Sequence, residues 1–447
     1  MIGESGSKES GSFFLCYNSV MDINLLEILK KEMVPAMGCT EPAAAALCSA
    51  KTSELLGALS DVRLSVKASK DMIKNTMGVG IPSSDKKGLN IAAALGYAVG
   101  NTGNGLSILS SVTPKQTEMA LKLDVTTELV RDVPALFISV RADSSDGHYA
   151  VATISSRHDR FCHLEKDGQV LLSLPISDEK NSDDTASLIR DLSIEHVIDF
   201  ANTVDFKNLD FVLKAVSTNM AIAEHSIKNG FGLEVGRTMS ADIPMPPASL
   251  KDALSKGAAY AAAGSDARMS GCSMPVIINS GSGNQGITVT VPVKILADYL
   301  GCTDEQMARA VCVSELVGLI LAAHKNRLSA LCGVFTASIG TACAWAYLLG
   351  GGPAMMKGVL NTMVGNLSGI ICDGAKGTCA LKIYSSLECA SMSVRLAMRN
   401  KTPGKESGIV GSSIAETIDN LARLCNEGME ETDNTVVSIM IAKETRC

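Results

Sequence analysis

Aromatic side chains are scarce in this sequence: 4% of 447 residues, with a single Trp. A core with so few rings is filled by small and aliphatic groups, which suits closely packed helices better than an aromatic-rich sandwich. Clustered basic runs are also missing. The net charge of −7 (40 Lys and Arg against 47 Asp and Glu) excludes a general nucleic-acid binder, which needs grouped cations to neutralise phosphates. The six histidines (His148, His158, His163, His196, His225, His324) form neither an HExxH nor a CxxC…HxxxH pattern, so the usual zinc signatures are absent. There is no Gly-x-Ser-x-Gly elbow. Met1 to Ser12 is rich in Gly, Ser, Glu and Lys and has no apolar stretch of the kind a secretion signal carries.

Cysteine, in contrast, is abundant, with 14 residues in a long aliphatic chain. A secreted disulfide scaffold would be short and loop-rich, so the expectation is a cytoplasmic, reducing compartment with most thiols free and some available to a metal. Leu328–Met356 carries no charge and is long enough to cross a bilayer. It is broken by Gly333, Gly340, Gly350, Gly351, Gly352 and Pro353, and reads as a buried central helix and not as a membrane span.

The periodicities divide the chain. Residues 1–20 read as a disordered leader. Residues 21–58 read as N-terminal helices: Asp22 to Met33 has helical apolar spacing, and an Ala-rich helix runs from about Pro42 to Leu56 with Thr40 as its N-cap. Residues 59–180 read as a smaller inserted α+β domain. Val62–Ala68, Leu136–Ala142 and His148–Ile154 alternate with period two, the last two flanking an Asp143–Gly147 hairpin turn. Arg160–Leu172 reads as a further strand pair about Lys166-Asp167-Gly168, with helices near Ile91–Val99 and Pro114–Leu123. Pro175–Asp184 is a polar linker, and 181–447 is helical almost throughout. The fold class expected is therefore α+β with a mostly helical C-terminal catalytic domain.

Four places could carry chemistry. Cys332 is followed by Gly333, and Cys372-Asp373-Gly374 precedes Cys379 by seven positions. Three thiolates converging from loops could hold a 4Fe–4S cluster and leave one iron open as a Lewis acid. The spacing alone favours buried apolar cysteines, since there is no tight CxxCxxC; the glycines around the outer positions and Asp373-Gly374 tilt the balance back, because loops then present the sulfurs. Cys39, in Gly38-Cys39-Thr40-Glu41-Pro42, sits just before a helix N-terminus, whose dipole is expected to lower its pKa and make it a base or nucleophile. The Ser280–Gly286 loop follows the apolar run Pro275–Asn279, has no Walker lysine and is only an imperfect echo of GxGxxG. Its hydrogen-bonding residues could cradle a carboxylate. Lys74-Asn75, read near the end of a strand, adds a cation and an amide.

In this order, Met37–Pro42, Lys74-Asn75, Ser280–Gly286, Leu328–Gly333 and Cys372–Lys376 resemble the L-cysteine desulfidase family, which is related to the iron–sulfur L-serine dehydratase alpha chains. The resemblance runs from about Met21 to about Asn400. It departs in the leader and in Gly377-Thr378-Cys379, where a proline or another glycine is expected. It implies a 4Fe–4S lyase that converts L-cysteine to hydrogen sulfide, ammonia and pyruvate. By the same resemblance Cys332, Cys372 and Cys379 are the cluster ligands and Cys39 the proton acceptor. Ser280, Ser282, Asn284 and Gln285, with Lys74 and Asn75, would hold the substrate. The expected partner is a small amino acid, with no nucleic acid and no membrane; a homo-oligomer stays open. Two rivals stand beside this reading: the same chemistry on L-serine, and a non-catalytic iron–sulfur or amino-acid sensor, which leaves Cys39 without a task.

Overall fold

The computed structural model describes residues 25–57, 61–81, 86–176, 184–325 and 329–444. The leader, most of the linker, Pro82 and Leu328 lie outside them. The fold is mixed α+β: a sheet-containing N-terminal half and a helical C-terminal region.

The first described helix, α1 (25–32), leads into a short strand, β1 (Pro35–Met37), and the Ala-rich α2 (Thr40–Leu56). Then come β2 (Val62–Ala68), α3 (Lys70–Thr76), α4 (Leu89–Val99), a 3₁₀ turn at Gly105–Ser111 and α5 (Pro114–Ala120). Five strands follow: β3 (Asp124–Leu129), β4 (Phe137–Ser144), β5 (Tyr149–Ser155), β6 (Phe161–Lys166) and β7 (Gln169–Ser173). The six-stranded sheet has the order β3-β2-β4-β5-β6-β7; β2 and β3 are parallel and every other pair antiparallel. The alternation read in β2, β4 and β5 is real, since Leu64, Val66, Ile138, Val140, Ala152 and Ile154 all point into a core. Their cover is α2 and α4, which approach so closely that a Cβ at Gly96 would lie 2.0 Å from the Ala46 carbonyl oxygen. β3 has no counterpart in the sequence reading. Its Asp-Val-Thr-Thr-Glu-Leu run is mostly exposed at the sheet edge, where nothing demands apolar alternation.

The helical region continues with α6 (Asp184–Arg190), α7 (Ile194–Thr203), α8 (Asp210–Asn229), α9 (Val235–Ala241), α10 (Leu250–Met269), strand β8 (Pro275–Ile277), α11 (Gly283–Leu300) and α12 (Asp304–His324). Next are α13 (Gly333–Leu348), α14 (Pro353–Leu367), α15 (Cys379–Ala397), α16 (Ile414–Arg423), a π turn at Leu424–Gly428 and α17 (Glu430–Glu444). The uncharged stretch expected as one helix is two. α13 ends at Gly350–Gly352, where Gly350 takes a left-handed φ of +79°, and Pro353 opens α14. Among the described residues only α12 is long and apolar enough to cross a bilayer, and 83% of its most apolar window is buried inside the fold.

Two features aim the site. Pro292 interrupts α11 and cannot bond the Thr288 carbonyl, which instead accepts the Thr341 hydroxyl of α13 at 2.7 Å. Trp345 Nε1 donates to the Pro292 carbonyl at 3.0 Å. α11 and α13 are thereby locked side by side. Separately, β1 pairs antiparallel with β8, Met37 opposite Pro275. Leu25, Ile28 and Leu29 of α1 pack into the helical core while Ala44, Ala45 and Ala46 of α2 pack under the sheet, so Gly38 and Cys39 lie at the seam between two cores.

Candidate active site

Three thiols meet where helices begin. Cys332 is the N-cap of α13, Cys379 is the first residue of α15, and Cys372 lies in the loop between α14 and α15. A small antiparallel bridge joins the first and last of these segments: Cys332 N donates to Ile370 O at 3.0 Å, and Cys372 N to Ala330 O at 2.6 Å. The Cys332 thiol hydrogen-bonds Cys372, and Cys379 stands within electrostatic reach of both. That hydrogen bond, against the cost of burial and with help from Lys74 and Lys382, draws the Cys372 thiol well below its ordinary value. Cys332 goes the other way, its proton held between the two sulfurs, and burial raises Cys379. Lys325, buried beside Cys372 and Cys332, has its ammonium pushed below the ordinary lysine value by burial. The loop can approach α3 only through glycine. Gly374 has φ +90°, and a Cβ there would lie 1.9 Å from the Lys74 carbonyl oxygen.

Cys39 is brought to this group. It caps α2 in extended conformation and packs with Val79, Met269 and Cys379. Its Sγ donates to Glu41 Oε2 at 2.9 Å. Glu41 also accepts from Asn75 Nδ2 at 3.0 Å and from Thr40 Oγ1 at 3.2 Å. The expected lowering of the Cys39 pKa by the helix dipole is not what the fold produces. Burial and the adjacent Glu41 carboxylate push the thiol well above its ordinary value, and Arg268 offsets this only in part. Burial opposes ionisation of Glu41, but His158 and the Cys39 hydrogen bond win, and its carboxyl lies below the usual range. The resting pair is a thiol donating to a carboxylate. Cys39 also lines a small cavity with Gly38, Ala43, Leu106 and Ser110.

The Ser280 loop is a tight turn with Ser280 at φ +48° and Gly281 at φ +75°, closed by reciprocal backbone bonds between Asn279 and Ser282. Ser282 caps α11, accepting from Gln285 N at 3.5 Å. Asn284 Oδ1 accepts from Arg268 Nη1 at 3.1 Å. Gln285 lies against the start of α13, since a Cβ on Gly333 would be 2.7 Å from its Nε2, and its buried Oε1 has no hydrogen-bond partner among the described residues. Below the turn, Asn279 Nδ2 donates to the fully buried Glu315 at 2.6 Å.

Lys74 and Asn75 are on a helix, not at a strand end. Ser69 caps α3 by accepting from Met72 N, and the period-two alternation stops there. Lys74 is 1% exposed, and its Nζ is engaged by Asp433 at 2.6 Å and Asp71 at 3.2 Å. Thr40 is the first helical residue of α2, with Cys39 as the cap. Sequence reasoning passed over Glu41, Arg268 and Lys325. Glu41 stood inside a motif already singled out. Arg268 is a cation in the last turn of an Ala- and Gly-rich helix, which is a readable anomaly.

The family model of the serine dehydratase alpha chain matches residues 103–438, three quarters of the chain. A UPF0597 protein of Oleidesulfovibrio alaskensis is 38% identical over 423 residues, covering 94% of this chain and 98% of its own length. One from Aeromonas hydrophila is 37% identical over 422 residues (94% and 96%), and one from Bacteroides thetaiotaomicron 36% over 434 residues (94% and 97%). The matched span takes in Arg268, the Ser280 loop and the three converging cysteines, and the relatives extend the likeness across Cys39 and Lys74. Membership points to an enzyme of the lyase kind from a family associated with iron–sulfur clusters: this chain belongs to the serine dehydratase alpha chain family.

Proposed function

We propose that this protein is an iron–sulfur lyase that eliminates hydrogen sulfide from L-cysteine, releasing pyruvate and ammonia. The observation that carries the reading is the meeting of Cys332, Cys372 and Cys379 with the Cys39–Glu41 pair at one seam.

The donor set fits such a cluster. Among the described residues no three His, Cys, Asp or Glu side chains gather closely enough to share a single ion. Three thiols from a helix N-cap, a loop and a helix start, with Lys74, Lys325 and Lys382 to balance thiolate charge, suit a polynuclear iron–sulfur group. Cys332, Cys372 and Cys379 would hold it. When bound, the cluster supplies a Lewis-acidic iron that favours departure of the substrate's sulfur.

The chain's own residues do the rest. The Cys39 proton passes to Glu41 along their hydrogen bond, an uphill step because burial and the Glu41 charge hold that proton on sulfur, and the thiolate so formed takes the Cα proton as the C–S bonding pair leaves with sulfur. The aminoacrylate released adds water and loses ammonia to give pyruvate. Asn75 keeps Glu41 turned toward Cys39, and the turn Ser280–Ser282 with Asn284 and Gln285 orients the substrate. Lys74 acts from behind, holding α3 to Asp433 while its charge favours the Cys372 thiolate.

L-Serine is the second reading, favoured by the description of the matched family. Protein purified without oxygen is to be assayed for sulfide from L-cysteine and for pyruvate from L-serine. A higher kcat/KM for cysteine is expected. Turnover of serine alone would reassign the substrate, and turnover of neither would remove the lyase reading.

A further inference from the structure

We propose that Arg268 is the residue that takes the substrate's α-carboxylate. The inference rests on the lyase reading and names how that site selects an α-amino acid. Arg268 closes α10 and is 5% exposed. Its Nη2 donates to Gly38 O at 2.9 Å, next to Cys39, and its Nη1 to Asn284 Oδ1 at 3.1 Å, in the first turn of α11. One guanidinium therefore spans the proton-handling segment and the Ser280 loop. Its Nε is buried and has no hydrogen-bond partner among the described residues. That atom faces Gly283: a Cβ there would lie 2.4 Å from Nε, so only glycine admits the guanidinium edge over the start of α11. Among the described residues no carboxylate is in ion-pair contact with Arg268. Glu41 is within electrostatic reach, but its bonds go to Cys39, Thr40 and Asn75.

A buried cation with an idle N–H and no anion in contact is costly, and a carboxylate ligand removes that cost. The planar fork of Arg suits a carboxylate, and the N-terminus of the 18-residue α11 adds partial positive charge at the same spot. Lys74, the cation the sequence offered for this task, is already held by Asp433 and Asp71. Arg268 is also close enough to both Cys39 and Cys379 to influence their charge, so a carboxylate seated on it sets the Cα–H beside the base.

The test compares L-cysteine with L-cysteinamide, which lacks the anionic carboxylate, on anaerobic holoenzyme. It adds calorimetric binding of unreactive L-alanine against L-alaninamide. Wild-type protein is expected to prefer the carboxylate in both measurements. R268Q is expected to lose about 10²–10³-fold in kcat/KM on cysteine, chiefly in KM, with cysteinamide changed about threefold or less and the cluster spectrum intact. R268K, which keeps the charge and is the milder change if R268Q folds poorly, should recover part of the preference. Equal losses on both substrates in either variant, or L-alanine binding unchanged in R268Q, would overturn the assignment. Failure of the lyase reading is separately visible: wild-type protein would turn over neither cysteine nor serine, yet loss of L-alanine binding in R268Q would still mark Arg268 as the carboxylate site.

Discussion

The thiols on the two sides of the seam stand in opposite electrostatic company. On the helical side, Cys372 has Lys74 and Lys382 near it and a partner thiol to share a proton, which favours a thiolate. On the sheet side, Cys39 donates to an ionised Glu41 and is kept protonated. Burial opposes ionisation of both, Cys39 buried at the start of α2 and Cys372 half-buried in the loop before α15, so burial does not separate them. The adjoining charge does. Thiols among lysines suit a metal; a thiol on a carboxylate suits proton transfer.

The largest effect expected is from Cys372→Ser. It should abolish iron retention and the sulfur-to-iron absorbance of anaerobically purified protein, and turnover with them; full iron content would break the division drawn here. Next is Cys39→Ala, expected to keep the iron while turnover falls by about 10²–10⁴-fold. Glu41→Gln should do the same more mildly. Undiminished turnover in the Cys39 variant would return the proton to another group.

Asp433→Ala tests how the seam is held. Lys74 and Asp433 are 1% and 5% exposed, and α17 carries Asp433 to α3. Leaving a buried ammonium with one partner fewer should cost about 3–5 kcal/mol, read as a lower midpoint in denaturant. Against burial, Lys74 and Lys70 hold the Asp433 carboxyl low, while Asp71, Cys372 and Asp433 hold the Lys74 ammonium high. The pair's contribution is thus lost only as pH falls through the lowered carboxyl value or rises through the raised ammonium value, and is flat near neutrality.

The change expected from Glu315→Gln is least at pH 5 and shows only in how stability varies with pH. Burial pushes this carboxyl up to about 8, despite its bond from Asn279. The folded state then holds a proton that the unfolded chain releases above its ordinary value, so stability falls by about 1.4 kcal/mol per pH unit as pH rises from about 4.5 toward 8. The glutamine variant should remove that slope while costing little at pH 5. Midpoints measured from pH 5 to 8 that slope equally in both proteins would show that Glu315 is ionised.

Strands with one buried face announced themselves, because alternation in β2, β4 and β5 is a direct image of the pleat. β3 stayed silent, since an exposed edge strand has no apolar face to print in the sequence. The run around Lys74 misled for a related reason. The strand pattern ends at Ala68 and one seven-residue helix is too short to show a period of its own. The uncharged run about Gly350 looked like one helix because composition reports burial and not where the chain turns. Of the site, the motifs that fold into loops and helix starts were visible as Gly- and Cys-bearing breaks. The partners that set their charge were not: Arg268 reaches Gly38 across 230 positions, and Lys74 reaches Asp433 across 359.

What the amino-acid order determined by itself was local: which stretches are helix or strand, which breaks carry sulfur, and that small side chains would let helices approach closely. What only the tertiary structure decided was the state of the groups. A thiol's proton and a lysine's freedom depend on burial and on charges a few ångströms away. Those neighbours come from distant chain segments, joined here by the β1–β8 pair, the backbone bridge of Leu331 to Ile371 and the docking of α17 on α3.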